Sequence, residues 1–372
     1  MRKGILLLCV FLLLCPLCRA EEIDLWSVNV GKADAHIVLS EDVVLLVDAG
    51  SAVAWPQVMR TLELLQIDRI DAVFLTHTDK DHAGGLSLLA QTDIPVGAWY
   101  ASGFGEEGKK HPARLASALR GQEYAPLVAG DALSFAHLSV SVMAPEEEGS
   151  EENNNSLVLM VETDAGRALL TGDMLWEEEE ILLHSGFDLS ADILKVAYHG
   201  GNESTSREFL RRVNPSVAIV STSTEERADT PSDAVLARLR EVGAKTLVTQ
   251  DATGGVHVST DGTAEFYELS APTGDIFRAV NMSVDPDDEI ISLSFSEDAD
   301  ISGWILASDT GGEGWSFPKG TRIKAGETVT VGTLSTDTDT DFLWQEKNVL
   351  HNDKRDAVSL IDGFGRLLAE VG

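Results

Sequence analysis

An α/β architecture with helices covering a sheet, followed by a small all-β sandwich, is the fold class this sequence predicts. Three observations carry it. Residues 23–269 alternate short β-branched runs with segments of helical period. Residues 275–372 show little helical periodicity and are broken by Gly, Thr and Asp turns. The chain has 372 residues, 44% hydrophobic and 24% charged, which is enough for two domains with a core each.

The elements follow in order. Residues 25–30, 35–39 and 43–47 read as successive strands. Pro56 opens a helix whose Val58, Leu62 and Leu65 share a face, and 72–75 is a strand of the buried type. Residues 157–161 and 168–170 are strands around a turn at 164–166; 176–183 is a helix and 193–197 a strand. After an apolar strand at 217–220, Ser232 caps a helix with Val235, Leu239 and Val242 on its buried stripe and Gly243 at its end. Strands at 246–249 and 256–259 close the region, with Asp261-Gly262 as a hairpin turn. Residues 21–270 form the first domain and 275–372 the second, the linker lying at 270–274.

Residues 1–20 read as a signal peptide. Arg2 and Lys3 precede an apolar run at 5–14, and Cys18 and Ala20 are small residues ahead of a cut before Glu21. The run is short of the roughly 20 residues that a spanning helix needs. Cys9, Cys15 and Cys18 all lie in this segment, so a secreted mature chain has neither disulfide nor thiolate ligand. With 28 basic and 61 acidic residues the net charge is -33, which argues against a broad polyanion-binding surface.

The chemistry concentrates at the ends of strands. Leu75-Thr76 leads into a loop bearing His77, Asp79, Asp81 and His82, followed by Gly84-Gly85. Without a cation such a set would repel itself and lose hydration at a cost of several kcal/mol. Asp48, Asp173 and His199 each follow an apolar run and sit beside glycine. Ligands on several strand ends are how a rigid scaffold holds a metal.

In this order Asp48, His77-x-Asp79-x-Asp81-His82, Asp173 and His199 resemble the metallo-β-lactamase superfamily. Residues 29–35, 46–50, 76–85, 153–159, 170–173 and 192–200 are similar, more narrowly, to the extracytoplasmic domain of the competence protein ComEC. The likeness covers about residues 23–260 and implies an αβ/βα sandwich with two divalent metal ions on one edge, zinc or manganese, with magnesium as an alternative. By that pattern His77 and Asp79 hold one metal, Asp81, His82 and His199 the other, and Asp173 bridges. Asp81 and Asp173 are then the catalytic carboxylates, Asp81 either orienting the nucleophile or binding the second metal. Asp48, Asp34, Asn154, Asn155 and Tyr198 stand behind the ligands or on the substrate side.

The departures bear on the metal. No histidine occupies the superfamily's middle ligand position, where the stretch Asn153, Asn154 and Asn155 offers amide oxygens; an oxygen-richer set moves preference from zinc towards manganese or magnesium. Tyr198 replaces the first His of the usual His-His-Gly, and 228–232 lacks the customary His before proline. The other histidines (His36, His111, His137, His184, His257 and His351) read as surface or structural residues.

Residues 301–306, 315–321 and 348–353 resemble the lamin-tail domain, an immunoglobulin-like sandwich, with Trp304 and Phe317 as core. Together the two likenesses imply a secreted metal-dependent phosphodiesterase or nuclease, with extracellular DNA as a candidate substrate. The alternatives are a hydrolase of a small ester, lactone or cell-wall substrate and a non-catalytic metal-containing binding module. The C-terminal domain is expected to dock a partner or the cell surface.

Overall fold

The computed structural model describes residues 21–105, 110–308, 312–347, 349–350 and 357–372. The expected signal segment lies outside them, as do His351 and part of the lamin-tail-like motif at 348–353.

The strands β1 (Asp24–Val28), β2 (His36–Ser40) and β3 (Val43–Val47) form an antiparallel run. Helix α1 (Trp55–Leu64), strand β4 (Ile70–Leu75), helix α2 (Lys80–Leu89), strand β5 (Val96–Ser102), helix α3 (Lys110–Leu119) and strand β6 (Ala125–Leu127) extend it in parallel. The second half contains β7 (Ala132–Phe135), β8 (Leu138–Ala144), β9 (Val158–Thr163), β10 (Gly166–Leu170), α4 (Trp176–His184), β11 (Ile193–Lys195), α5 (Arg207–Val213), β12 (Val217–Val220), α6 (Asp233–Val242) and β13 (Lys245–Val248). Strands β14 (Gly255–Ser259) and β15 (Ala264–Tyr267) return to the first sheet beside β1. The two sheets have the orders β15-β14-β1-β2-β3-β4-β5-β6 and β13-β12-β11-β10-β9-β8-β7.

Period-two alternation builds the layers. In β3, Val43, Leu45 and Val47 face the core between the sheets, while Val44 and Leu46 face α1 and α2. In β9, Leu159 and Val161 enter the inter-sheet core and Val158 and Met160 pack under α4 and α5. Strands buried on both faces read as continuous apolar runs, which is why these were legible. Each such side chain contributes on the order of 1.5–3 kcal/mol by leaving water. The Ser232 cap is observed, its side chain accepting from Val235 N–H, and Gly243 ends α6 at φ 79°.

Three local expectations change. The ligand stretch is not all loop: Asp79 caps α2, and the N–H groups of His82 and Ala83 both donate to its carbonyl at 2.9 Å. Asp81 and His82 therefore belong to the first helical turn. The expected strand at 193–197 stops at Lys195, where the chain tightens into a 3-10 turn over Ala197–Gly200. Elements β5 to β8, α3 and α5 are additional to those expected from the sequence.

The C-terminal region is all β, as its turn-rich sequence predicts. One four-stranded sheet joins Val280–Asp285, Ile290–Phe295, Thr328–Thr333 and Phe342–Trp344; another joins Gly314–Ser316, Ile305–Ser308, Val358–Ile361 and Leu367–Val371. Their shared core contains Trp304, Trp315, Phe317 and Trp344.

Candidate metal centre

The polar residues gather where strands end. Asp48 follows β3, His77 follows β4, Asp173 follows β10 and His199 follows β11, so both sheets deliver ligands to one edge of the sandwich. Backbone hydrogen bonds fix these turns: Asp48 N–H donates to Phe74 at 2.9 Å, Gly50 N–H to Asp34 at 2.7 Å and Ala49 N–H to His82 at 2.9 Å. Gly84 and Gly85 allow the contact between α2 and the turn after β3; a Cβ on Gly85 would stand 2.1 Å from the Ala49 carbonyl oxygen. Left-handed backbone recurs at the ligands themselves, at Asp48 (φ 57°) and at the consecutive pair Tyr198 and His199 (φ 51° each). Non-glycine residues held this way cost on the order of 1–3 kcal/mol each and persist where the surroundings over-determine them.

Each of three buried imidazoles is gripped on one nitrogen and open on the other. Nδ1 of His82 lies 2.8 Å from Asp48 Oδ2, and Nδ1 of His199 donates to the Ser221 carbonyl at 2.9 Å. His77 Nδ1 lies within reach of Thr76 Oγ1 (3.1 Å) and Ser156 Oγ (3.3 Å). All three Nε2 atoms and Asp173 Oδ1 are buried without a hydrogen-bond partner. Asp173 Oδ2 is 3.1 Å from His199 Nε2 and 3.4 Å from His82 Nε2, and Asp81 Oδ2 is 3.4 Å from His199 Nε2. One ligand atom from each of Asp81, His82, Asp173 and His199 falls within 4.8 Å of the others. Buried polar atoms normally find partners, so orphaned nitrogens converging on carboxylates fit a cation.

His77 and Asp79 stand beside this group. The His77 and His82 rings are 4.1 Å apart, and His77 Nε2 is 3.8 Å from Asp79 Oδ2. Asp79 reaches the rim, where Arg114 Nη1 donates to its other oxygen at 2.8 Å.

The electrostatics separate the three histidines. Burial, and then the neighbouring His82, pushes the His77 pKa down and favours its neutral form. Burial also disfavours charge on His199 and His82, but carboxylates outweigh it. Asp173 and Asp34 push His199 up to about 10, and Asp173 with Asp48 hold His82 well above its ordinary value. Burial works against ionisation of Asp173, yet His199 and His82 hold it well below the usual carboxylate range.

The Asn154 and Asn155 amides are engaged within the protein. Asn154 Oδ1 accepts from Leu175 N–H at 3.2 Å and its Nδ2 donates to Glu177 at 2.8 Å. Asn155 Oδ1 accepts from Gly149 N–H and its Nδ2 donates to the Glu151 carbonyl, both at 2.9 Å. Asn154 thus ties its loop to α4 and Asn155 closes the loop on itself, while Asn153 Oδ1 is buried without a hydrogen-bond partner among the described residues. Ser156 does the work next to the site, accepting from Asp173 N–H at 3.1 Å. Tyr198 is half-buried at the rim, with Lys32 Nζ 6.0 Å from its ring centre.

Lys195 was not singled out from the sequence. It is wholly buried, forms an ion pair with Asp34, donates to the Gly172 carbonyl at 2.8 Å and lies 3.6 Å from Asp173 Oδ1. Only its position beside the apolar Ile193-Leu194 hinted at an inward ammonium. Two histidines read as merely structural also abut the site. His36 Nε2 is 3.6 Å from Asp34, and His111 Nδ1 is 2.9 Å from Glu152, which in turn accepts from Thr78 N–H at 2.9 Å.

Residues 28–224 match the Metallo-beta-lactamase superfamily, more than half of the chain. The chain belongs to the metallo-β-lactamase superfamily. Residues 286–372 match the Lamin Tail Domain. Among curated proteins, ComE operon protein 3 of Bacillus subtilis is 28% identical over 265 residues, 66% of this chain and 34% of that protein. Competence protein ComA of Neisseria gonorrhoeae is 30% identical over 223 residues, 59% of this chain and 30% of that protein. The chain thus spans about a third of these ComEC-like relatives. Of solved structures, the metallo-beta-lactamase fold protein YhfI of Bacillus subtilis aligns with TM-score 0.43 at 14% identity, covering 64% of this chain and 99% of that one. The present chain has the fold of a metal-dependent hydrolase, with an all-β region appended. Among the described residues no helix is long and apolar enough to cross a membrane.

Proposed function

We propose that this protein is a secreted metal-dependent phosphodiester hydrolase, a nuclease on extracellular DNA being its most specific form. The observation that carries the reading is the convergence of the His82 and His199 Nε2 atoms on Asp173, and of His199 Nε2 on Asp81, with His77 Nε2 facing Asp79 beside them and every Nδ1 already engaged. Asp81, His82, Asp173 and His199 would hold one divalent ion, and His77 and Asp79, with Asp173 between, a second. The donor set has three imidazoles, which favours zinc or manganese over magnesium. When bound, such ions polarise a phosphoryl oxygen and activate water at neutral pH.

The chain's own residues supply the rest. Asp48 orients His82 through Nδ1, and Ser221 does the same for His199 through its carbonyl. Asp81 keeps an open side towards solvent and carries Lys32 at 3.3 Å, which places an ammonium where an anionic ester would enter. Lys32, Lys80 and Arg114 line the clefts beside Asp81 and Thr78, so a chain of net charge -33 still presents cations at this mouth. The basic groups at 109–111, 207 and 211–212 are not needed for this. The likeness to competence proteins supports a nucleic-acid substrate.

The test uses purified protein loaded in turn with manganese, zinc and magnesium. Substrates are single- and double-stranded DNA, bis-p-nitrophenyl phosphate and nitrocefin, with Asp81→Ala/His82→Ala as the blank. Metal-dependent phosphodiester cleavage lost in the blank is the expected result. Turnover of nitrocefin alone would overturn the phosphodiester reading.

A further inference from the structure

The end of the first domain opposite the metal centre carries a second group of ligand types. Strands β2 and β3 are joined by the two-residue turn Glu41-Asp42, and β7 and β8 by the two-residue turn Ala136-His137. The first turn belongs to one sheet and the second to the other. Such short hairpin tips have little conformational freedom. Glu21 joins them from the segment just before β1. One ligand atom from each of Glu21, Glu41 and His137 lies within 4.8 Å of the other two. Strand β3 runs from this end to Asp48, so its length sets the group at least on the order of 15 Å from the centre described above.

Hydrogen bonds decide which nitrogen of His137 is available. Ser40 Oγ donates to the Glu22 carbonyl at 2.7 Å, which uses its only proton. It therefore accepts from His137 Nε2 at 3.0 Å, and the Ser40 carbonyl accepts from the same Nε2 at 3.2 Å. With the proton on Nε2, the lone pair of the neutral ring is on Nδ1. That atom lies 3.3 Å from Glu21 Oε2, and the His137 side chain is only 14% exposed. A lone pair and a carboxylate oxygen repel unless a cation lies between them. A proton bridges two atoms, whereas a metal ion gathers the third as well, the carboxylate of Glu41. The spacing suits zinc, since two ligands about 2.0–2.1 Å from a tetrahedral zinc stand about 3.3 Å apart. The Nε2–H bond to Ser40 is the outer contact that orients a metal-bound imidazole.

We propose that Glu21, Glu41 and His137 form a second divalent-metal site, of the zinc type, that staples the two sheets and the start of β1 together. One imidazole nitrogen and two carboxylate oxygens supply three ligands and leave a fourth position to water. A set containing nitrogen serves zinc better than magnesium or calcium, which take oxygen. The backbone before β1 is pinned at Ile23, whose N–H donates to Thr260 Oγ1 at 3.0 Å, and the ion extends that pinning to Glu21. The role is one of stability, so it stands apart from the phosphodiester reading above.

Two measurements test this. The purified protein is dialysed against low-micromolar zinc, and zinc per chain is counted by plasma mass spectrometry in the wild type, His137→Gln and Glu41→Gln. Each variant should hold about one ion fewer than the wild type. Glu41 is exposed, so its replacement leaves the fold intact even where that of His137 does not. Equal zinc content in the wild type and Glu41→Gln would overturn the site. Separately, zinc should raise the melting temperature of Asp81→Ala/His82→Ala, whose catalytic centre is disabled, and most of that rise should vanish when Glu41→Gln is added. A rise that survives Glu41→Gln in full, or no rise at all, would also overturn it. The zinc count and the melts report on this site whether or not the wild type cleaves phosphodiesters.

Discussion

Asp48 holds His82 by a single contact, Oδ2 to Nδ1 at 2.8 Å, and the same carboxylate accepts from Thr76 N–H at 2.8 Å and from Thr76 Oγ1 at 2.7 Å. One side chain thus orients a ligand and ties down the strand end from which the other ligands leave. Its own left-handed backbone is held by the Asp48 N–H bond to Phe74.

Asp48→Asn should therefore weaken metal binding about 10- to 100-fold while leaving the fold intact, as the loss of an outer carboxylate partner does. Competition titration with a chromophoric chelator measures this. Unchanged affinity would remove Asp48 from the support of His82.

Lys195 and Asp34 are both about 1% exposed, so the pair has little solvent to screen it. Burial lowers the lysine's pKa, but Asp34 and Asp173 raise it past its ordinary value and keep it charged. Lys195→Met leaves Asp34 and Asp173 uncompensated, and the metal-free protein should lose about 3–5 kcal/mol. Divalent metal should restore part of that loss. Denaturant melts with and without manganese read both effects, and a loss that metal does not diminish would detach Lys195 from the centre.

Metal binding should release protons. Neutral imidazoles are the ligands, whereas Asp173 and Asp34 push His199 up to about 10 in the metal-free protein. Affinity should therefore rise with pH between about 6 and 9. The folded value lies above the unfolded one, so this group's contribution to metal-free stability is fully present below about 6.5 and declines as pH rises towards 10. Calorimetry in two buffers of different ionisation enthalpy counts the protons; no release at pH 7 would contradict the assignment.

Glu178 gives a pH effect away from the metal. Burial first, opposed by a backbone hydrogen bond at Glu146 and aided by the Glu147 and Glu177 carboxylates, pushes it up to about 7 from 4.5. The folded state then binds the proton more tightly, so stability falls as pH rises from about 4.5 to 7 and stays reduced above that. Glu178→Gln should stabilise the protein by about 1 kcal/mol at pH 8 relative to its effect at pH 4.5, the full linkage being discounted for partial solvation. Thermal melts at the two pH values check the sign.

Gly85→Ala should destabilise by about 1–3 kcal/mol, because its new methyl would meet the Ala49 carbonyl and push α2 from the turn after β3. A fully stable variant would show that this approach is slack.

The layers and the residues of the candidate centre at strand ends were legible in the residue order because their signals are local. Strands buried on both faces, such as 43–47 and 217–220, must be apolar throughout, and a ligand at a strand end stands next to glycine whatever lies across from it. His77, Asp79, Asp81 and His82 announced themselves by density within one turn. Three things were decided only by tertiary contact. The Asn154 and Asn155 amides turned away to bond Leu175 and Gly149, because backbone N–H groups of the folded loop claimed their oxygens. Lys195 entered the site because β11 lies between β10 and β12 in the second sheet, which brings it to Asp34 from the first. The third is the seating of Gly314 and Ser316 on Gln91 just past α2, more than two hundred positions away in the chain, a contact that no short-range pattern encodes.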